Sequence, residues 1–200
     1  MYAWRSMTPA MREEVLRLRK LGKQPWHGPP HGLERGWFHL SAACFEHKPI
    51  IGLSPERMVK FEREVRLVLR PVIFGIMAWC ILPNHYHILL QCIHERTIRQ
   101  TLGKLHGRLS RLWNREEDAI GRQCWHRLLL KPIKNDSHRW ATLNYIHHNP
   151  VYHGYVQKWQ EWPFSSAQVY LDQFGAEFVR KIWEEHPILE MVKGWDEADI

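Results

Sequence analysis

The sequence lacks any apolar run as long as the ~20 residues that a membrane-spanning helix requires. It opens without the basic, apolar and small-residue pattern of a secretory signal peptide. Its four cysteines are scattered, and no two of them form a C-x-x-C pair. These absences argue against a membrane protein, a disulfide-framed secreted domain and a closed structural zinc site. We therefore expect a protein of the reducing cytoplasm that has no membrane partner.

Acidic residues are in the minority. The chain of 200 residues has 21 Asp and Glu against 28 Lys and Arg, which gives a net charge of +7 with the histidines neutral. This balance favours a polyanionic partner, nucleic acid before a membrane surface. Eleven tryptophans add aromatic surface on which unpaired bases could stack. Most tryptophans in a folded chain nevertheless belong to the core.

Hydrophobic periodicity predicts an α+β domain. Helices are predicted over 8–21, 54–70, 96–116 and 136–148, and strands over 36–47, 72–82, 85–92 and 124–134. The strand over 72–82 is apolar on both faces, which is typical of a central strand. The order of elements fits an antiparallel sheet with helices packed on one or both faces. We divide the chain into an N-terminal helix and Gly/Pro-rich strap (1–35), a main domain (36–170) and a helical tail (171–200).

Three of the predicted helices have sequence features that the structure can test. In the first, Ser54 is the candidate N-cap, and the expected buried stripe is Met58, Phe61, Val65 and Val68. In the second, one face is basic and consists of Lys104, Arg108, Arg111 and Arg115. Such a face is more often simply solvated, but in a basic protein it is also a candidate for phosphate contacts. The third should begin at Asp136 as N-cap and stop at Asn149-Pro150.

Two histidines stand one residue apart in the apolar stretch "ILPNHYHILLQ", residues 81 to 91. In a strand His85 and His87 project to the same face, whereas Tyr86 and Ile88 face the opposite way into the core. Two imidazoles at this spacing could converge on one divalent ion. An H-x-H pair is a weak signal by itself, since 14 histidines could place one by chance.

The stretch "NYIHHNPV", residues 144 to 151, could complete such a site. Tyr145 and Asn149 are four residues apart and would share one face of a helix. Tyr145 could be a nucleophile, and the Asn149 carbonyl oxygen is a hard ligand suited to Mg²⁺ or Mn²⁺. Pro150 biases Asn149 away from the helical region, and His148 is a local competitor for the third ligand position. A tyrosine half-buried against the sheet is the simpler structural interpretation of Tyr145.

The motifs "LPNHYHILL", "YIHHNPVYHGYV" and "EWPFSS", in this order, closely resemble the REP-associated tyrosine transposases of the single-tyrosine HUH superfamily. The resemblance covers roughly residues 36–168. It implies a ferredoxin-like core, a metal held by His85, His87 and Asn149, and Tyr145 as the nucleophile. The Mg²⁺ or Mn²⁺ enzyme would cleave and rejoin single-stranded DNA through a 5′-phosphotyrosine at REP-type hairpins. The resemblance further implies a bacterial, cytoplasmic and nucleoid-associated protein, with a monomer favoured over a dimer.

Four other functions compete with this interpretation. A domesticated hairpin-binding regulator that no longer cleaves DNA would keep the same motifs. A histidine-triad nucleotide hydrolase is excluded because its third histidine position holds Leu89. A two-histidine RNA phosphoesterase needs a second motif, for which the sole partial match is "HLS" at residues 39 to 41. A structural zinc would need four closed ligands, which the sequence does not show.

Overall fold

The computed structural model describes residues 8–10, 13, 17 and 36–188. The chain divides into two units, Met1–Glu34 and Arg35–Ile200. In the first unit Pro9, Ala10, Glu13 and Arg17 are helical. The rest of the predicted N-terminal helix, the strap and residues 189–200 of the tail lie outside the described residues. None of the helices in the described part is long and apolar enough to cross a membrane.

The second unit is built on a four-stranded antiparallel sheet in the order β2-β3-β1-β4. The strands are β1 (Gly36–Ala43), β2 (Gly75–Ile81), β3 (His85–Cys92) and β4 (Leu129–Pro132). The helices are α1 (Pro55–Leu69), α2 (Glu95–Glu116), α3 (Asp136–Tyr152) and α4 (Ala167–Glu185). The βαββαβ order with this strand arrangement is ferredoxin-like. The predicted α+β fold class is therefore confirmed.

Helices α1 and α2 cover one face of the sheet. The predicted cap of α1 is confirmed, since the Ser54 hydroxyl accepts a hydrogen bond from the Arg57 backbone N–H at 3.2 Å. Met58, Phe61 and Val65 are buried as predicted, but Val68 is only partly buried and Leu69 takes its place. The reason is the helical period. At ~100° per residue, position 69 returns to the direction of position 58, whereas position 68 lies ~80° away.

Strand β2 was predicted to be central, and this prediction was wrong, because it lies at an edge of the sheet. It is apolar on both faces because both faces are packed: Ile81 lies in the core cluster of α1 and α2, whereas Ala78 and Cys80 lie in the cluster of α3. The segment "EWPFSS" runs along the edge, where Ile81 N–H donates to the Phe164 carbonyl at 2.8 Å and Ser166 N–H donates to the Trp79 carbonyl at 3.0 Å. The Trp162 indole N–H adds a hydrogen bond to the Ile81 carbonyl at 2.9 Å. We call residues 161–166 the edge cover.

Helix α3 packs on the opposite face of the sheet from α1 and α2. Its residues Leu143, Tyr145 and Ile146 join a core cluster with Ala78 and Cys80 of β2 and other buried residues. The helix begins with Asn135 as N-cap rather than Asp136, and the Asn135 amide oxygen accepts from the His138 backbone N–H at 2.8 Å.

The predicted end of α3 at Asn149 was also wrong, since the helix continues through Pro150 to Tyr152. Pro150 lies in the last turn, where a proline removes one donor from a ladder that is about to end. It is buried within the helix, and packing therefore outweighs the local bias against a helical residue before proline. Asn149 consequently stays helical.

Candidate active site

His85 and His87 lie side by side on the face of β3 that is turned toward α3. Their ring centroids are 5.0 Å apart, and the two residues are 4% and 1% exposed. Tyr86 and Ile88 point to the other face and belong to the core under α1 and α2, as the strand alternation predicts. The sheet thus presents two imidazoles together at its centre, because β3 is an inner strand.

Tyr145 and Asn149 reach the two histidines from α3. The Asn149 Oδ1 atom is 3.1 Å from His85 Nε2, and the Tyr145 ring centroid is 5.5 Å from that of His87. One helical turn separates the two α3 residues, and both therefore face the same part of the sheet. The structure therefore brings together all four residues that the sequence singled out as ligands and nucleophile.

Both ring nitrogens of His85 lie against side-chain amides. Its Nδ1 lies 2.8 Å from Asn84 Oδ1, while its Nε2 lies 3.1 Å from Asn149 Oδ1. An amide oxygen only accepts hydrogen bonds, and a neutral imidazole carries one N–H. If His85 Nδ1 carries the proton and donates it to Asn84, the Nε2 lone pair and the Asn149 amide oxygen face each other, and a cation could bind both. Imidazole nitrogen and amide oxygen are ordinary ligands of divalent metals, and these side chains thus fit a metal ion.

His39 is a site residue that the sequence analysis did not assign. It lies on β1, is 1% exposed, and its Nε2 is 3.0 Å from His87 Nδ1, with the two rings stacked at 5.0 Å. Its ring also meets the Tyr145 ring edge-on at 6.0 Å. If His87 donates its Nδ1 proton to His39, its Nε2 lone pair is left for a ligand, which is the usual arrangement behind a metal-binding histidine.

Three histidines near the C-terminal end of α3 lie at different distances from the site. The exposed His153 contacts the His85 ring at 4.8 Å and so lies at the border of the site. His147 instead forms a hydrogen bond with Ser166 Oγ at 2.8 Å, and burial lowers its pKa to about 3. His148 packs against Trp183 of α4 at 5.1 Å. The structure therefore places neither His147 nor His148 against the H-x-H pair.

A metal site here would depend on the asparagine. Among the described residues, no group of three or more His, Cys, Asp or Glu side chains is arranged to hold a metal ion. The two strand histidines would supply two nitrogen ligands, and Asn149 Oδ1 is the protein oxygen next to His85 Nε2. The predicted set of His85, His87 and Asn149 is thus consistent in chemistry with a hard divalent ion that keeps open positions for other oxygens.

The basic face of α2 is not part of this site. Its four residues Lys104, Arg108, Arg111 and Arg115 are exposed on the helix layer that covers the other face of the sheet. Arg108 forms an ion pair with Glu64 of α1 at 2.6 Å. The sheet lies between this face and Tyr145, because Tyr145 packs in the cluster on the α3 side.

Comparison with known proteins relates this chain to proteins of one kind. No family model matches the chain. A protein of Haemophilus influenzae described as a REP-associated tyrosine transposase is 30% identical over 122 residues, which cover 51% of this chain and 67% of the relative. The REP-associated tyrosine transposase of Escherichia coli K12 is 30% identical over 99 residues, 46% of this chain and 54% of the relative. The match thus spans about half the length of the second relative.

A solved structure shares the fold. The structure of a REP-associated tyrosine transposase bound to a REP hairpin superposes with a TM-score of 0.50 at 20% sequence identity, covering 69% of this chain and 80% of that chain. This likeness concerns the arrangement of strands and helices, while the sequence relationship comes from the two relatives at 30% identity. The chain belongs to the REP-associated tyrosine transposase family.

Proposed function

We propose that this protein is a metal-dependent single-stranded DNA endonuclease and strand transferase with Tyr145 as its nucleophile. The observation that carries the proposal is the convergence of Tyr145, His87, His85 and Asn149 on one patch between β3 and α3. A phenol beside two imidazoles and an amide oxygen has the groups that phosphoryl transfer to tyrosine requires.

In the proposed reaction the Tyr145 hydroxyl oxygen attacks the scissile phosphorus of a DNA strand. The bond from this oxygen to phosphorus forms as the bond from phosphorus to the 3′-oxygen breaks, which leaves a 5′-phosphotyrosine and a free 3′-hydroxyl. The phenolic proton leaves the attacking oxygen, and the departing 3′-oxygen gains a proton. Attack by a 3′-hydroxyl on the phosphotyrosine reverses these changes and joins strands, so that no external energy source is needed.

His85, His87 and Asn149 would hold a divalent ion, Mg²⁺ or Mn²⁺. When bound, such an ion polarises a non-bridging phosphate oxygen and offsets the charge that develops there. The chain itself prepares this position. The oxygen of Asn84 orients the His85 ring, the contact with His39 orients His87, and α3 holds Asn149 against the strand.

Access to the nucleophile requires movement. Tyr145 is 6% exposed and Asn149 is 1% exposed. The Tyr145 hydroxyl oxygen is itself buried, and we therefore expect α3 or its neighbours to shift when DNA binds. His153, at the border of the site, is the exposed ring next to His85. We expect DNA binding to displace such border groups before cleavage.

The proposed DNA partner is a REP-type hairpin with an unpaired foot. This rests on family membership, on the REP hairpin bound to the structurally similar transposase, and on the positive charge of the chain. The exposed basic face of α2 is a candidate contact for the duplex stem. Tyr145 and His87 contact each other within one chain, and a monomer would therefore contain all the proposed catalytic groups.

The test uses a labelled hairpin oligonucleotide with Mn²⁺, analysed on a denaturing gel. The wild-type protein should give a cleaved product and a slower, protease-sensitive covalent band, and Tyr145→Phe should give neither while still binding the hairpin. Tyr152→Phe is the matched control, since Tyr152 is 68% exposed and lies on the same helix. An adduct that persists in Tyr145→Phe would refute the assignment. Binding without cleavage by the wild type would instead indicate a hairpin-binding regulator.

A further inference from the structure

A second basic feature lies beside the sheet, between α1 and the edge strand β2. It is a cleft of about 620 Å³ into which three arginines project, Arg63, Arg66 and Arg70. They follow the spacing i, i+3, i+7, which places them along one side of α1 and the turn after it. All three are exposed. We call this feature the arginine cleft.

The charge of the arginine cleft is not neutralised by its own lining. Glu62 is its one acidic lining residue in the described part of the chain, and this carboxylate already accepts from Arg66 at 3.1 Å and from the Trp79 indole N–H at 2.9 Å. Neither Arg63 nor Arg70 has an ion-pair partner among the described residues. The lining therefore keeps an excess of two positive charges that can face an anion.

The arginine cleft also has apolar and aromatic walls. The Arg66 guanidinium lies over the Trp79 ring at 4.0 Å, and Phe74 and Leu67 are 45% and 62% exposed. A duplex presents phosphates to a protein but hides its base faces. An unpaired strand presents both phosphates and base faces, and it is bound by positive grooves with aromatic platforms.

We propose that the arginine cleft binds an unpaired stretch of the DNA strand. Arg63 and Arg70 would contact phosphates, and a base would stack on the layer formed by Arg66 and Trp79. This inference rests on the proposed function for the identity of the polymer. Because α1 covers the face of the sheet opposite Tyr145, the bound stretch is one that is held and not cut.

The experiment measures the binding of a labelled oligothymidylate of about twelve nucleotides by fluorescence anisotropy over a range of salt concentrations. Arg63→Gln with Arg70→Gln should weaken binding at least tenfold and lower the salt slope by about 1.4, since each lost phosphate contact removes about 0.7 for single strands. The matched control is Lys60→Gln with Lys181→Gln, which removes the same charge at exposed positions outside the arginine cleft. An oligonucleotide with abasic sugars should bind the wild type more weakly than oligothymidylate.

Two results would overturn the proposal. One is equal binding by the arginine and lysine double variants, which would show that the loss of binding depends only on net charge. The other is a loss that is larger for a blunt duplex than for the single strand. The proposed function is tested separately, because Tyr145→Phe should bind oligothymidylate normally. If the wild type shows no cleavage, and its single-strand binding still depends on Arg63 and Arg70, the proposal for the arginine cleft stands and the cleavage proposal fails.

Discussion

Replacement of His39 by phenylalanine tests whether this buried histidine prepares His87 for a metal. The phenyl ring keeps a ring stacked on His87 but removes the Nε2 atom that lies 3.0 Å from His87 Nδ1. Both residues are 1% exposed, and water does not readily replace the lost partner. Leaving a buried polar group unpaired costs about 1–3 kcal/mol. In addition, His87 is then free to place its proton on either ring nitrogen.

The cost falls on the metal-bound state, in which His87 must keep its proton on the unpaired Nδ1, and it therefore lowers the metal affinity. A free energy of about 1–3 kcal/mol corresponds to a factor of roughly 5–150, and loss of an outer partner of a metal-binding histidine typically costs about 10–100-fold. We therefore expect His39→Phe to bind Mn²⁺ about 10–100-fold more weakly than the wild type. Titration calorimetry of the DNA-free protein measures this affinity without any dependence on cleavage.

Two controls separate positioning from general destabilisation. His39→Gln offers an amide oxygen to His87 and should recover part of the Mn²⁺ affinity that His39→Phe loses. The thermal midpoint of each metal-free variant reports on folding alone. The reasoning would be refuted if His39→Phe bound Mn²⁺ as tightly as the wild type, or if the glutamine and phenylalanine variants lost the same affinity.

Two further predictions concern stability. Burial lowers the pKa of His106 to about 4 and that of His147 to about 3. Between pH ~6.5 and ~4 these two histidines are therefore protonated in the unfolded chain but remain neutral in the folded chain. The free energy of unfolding, measured in urea, should fall on acidification by up to about 2.7 kcal/mol per pH unit, and a flat profile would contradict this. Gly175 interrupts α4 with φ 80° and ψ 160°, a conformation that is essentially restricted to glycine. Gly175→Ala should therefore destabilise the protein by about 1–3 kcal/mol, whereas Gly107→Ala, in the middle of α2, should stabilise it by about 0.5–1 kcal/mol. Equal effects of the two glycine substitutions would be the contrary result.

The parts of the fold that follow from local pattern could be predicted from the sequence. The capped amphipathic helix α1 and the period-two strand β3 each carry their own signal, and both lie where the pattern places them. The grouping of His85 and His87 is a property of one strand and is equally local. The grouping of Tyr145 with Asn149 follows from their four-residue spacing, provided that α3 stays helical through Asn149.

The parts that depend on distant pairing could not be predicted in this way. His39 is 48 residues away from His87, and they meet because the register of β1 and β3 makes them diagonal neighbours. The edge position of β2 was missed because α1 and α2 cover one of its faces and α3 covers the other, as they would cover the faces of an inner strand. Local hydrophobicity reports burial, and it does not say which element provides it.

The edge cover also protects this protein against aggregation through the edge of its sheet. Exposed backbone at a sheet edge is a template on which another chain can add a strand. Here the carbonyls of Trp79 and Ile81 are occupied by residues 161–166, and the opposite edge strand, β4, is four residues long and ends at Pro132, which has no N–H to offer. A chain truncated before Trp162 would lose more than a C-terminal helix. It would uncover an apolar strand edge, and we expect such a fragment to aggregate through its sheet.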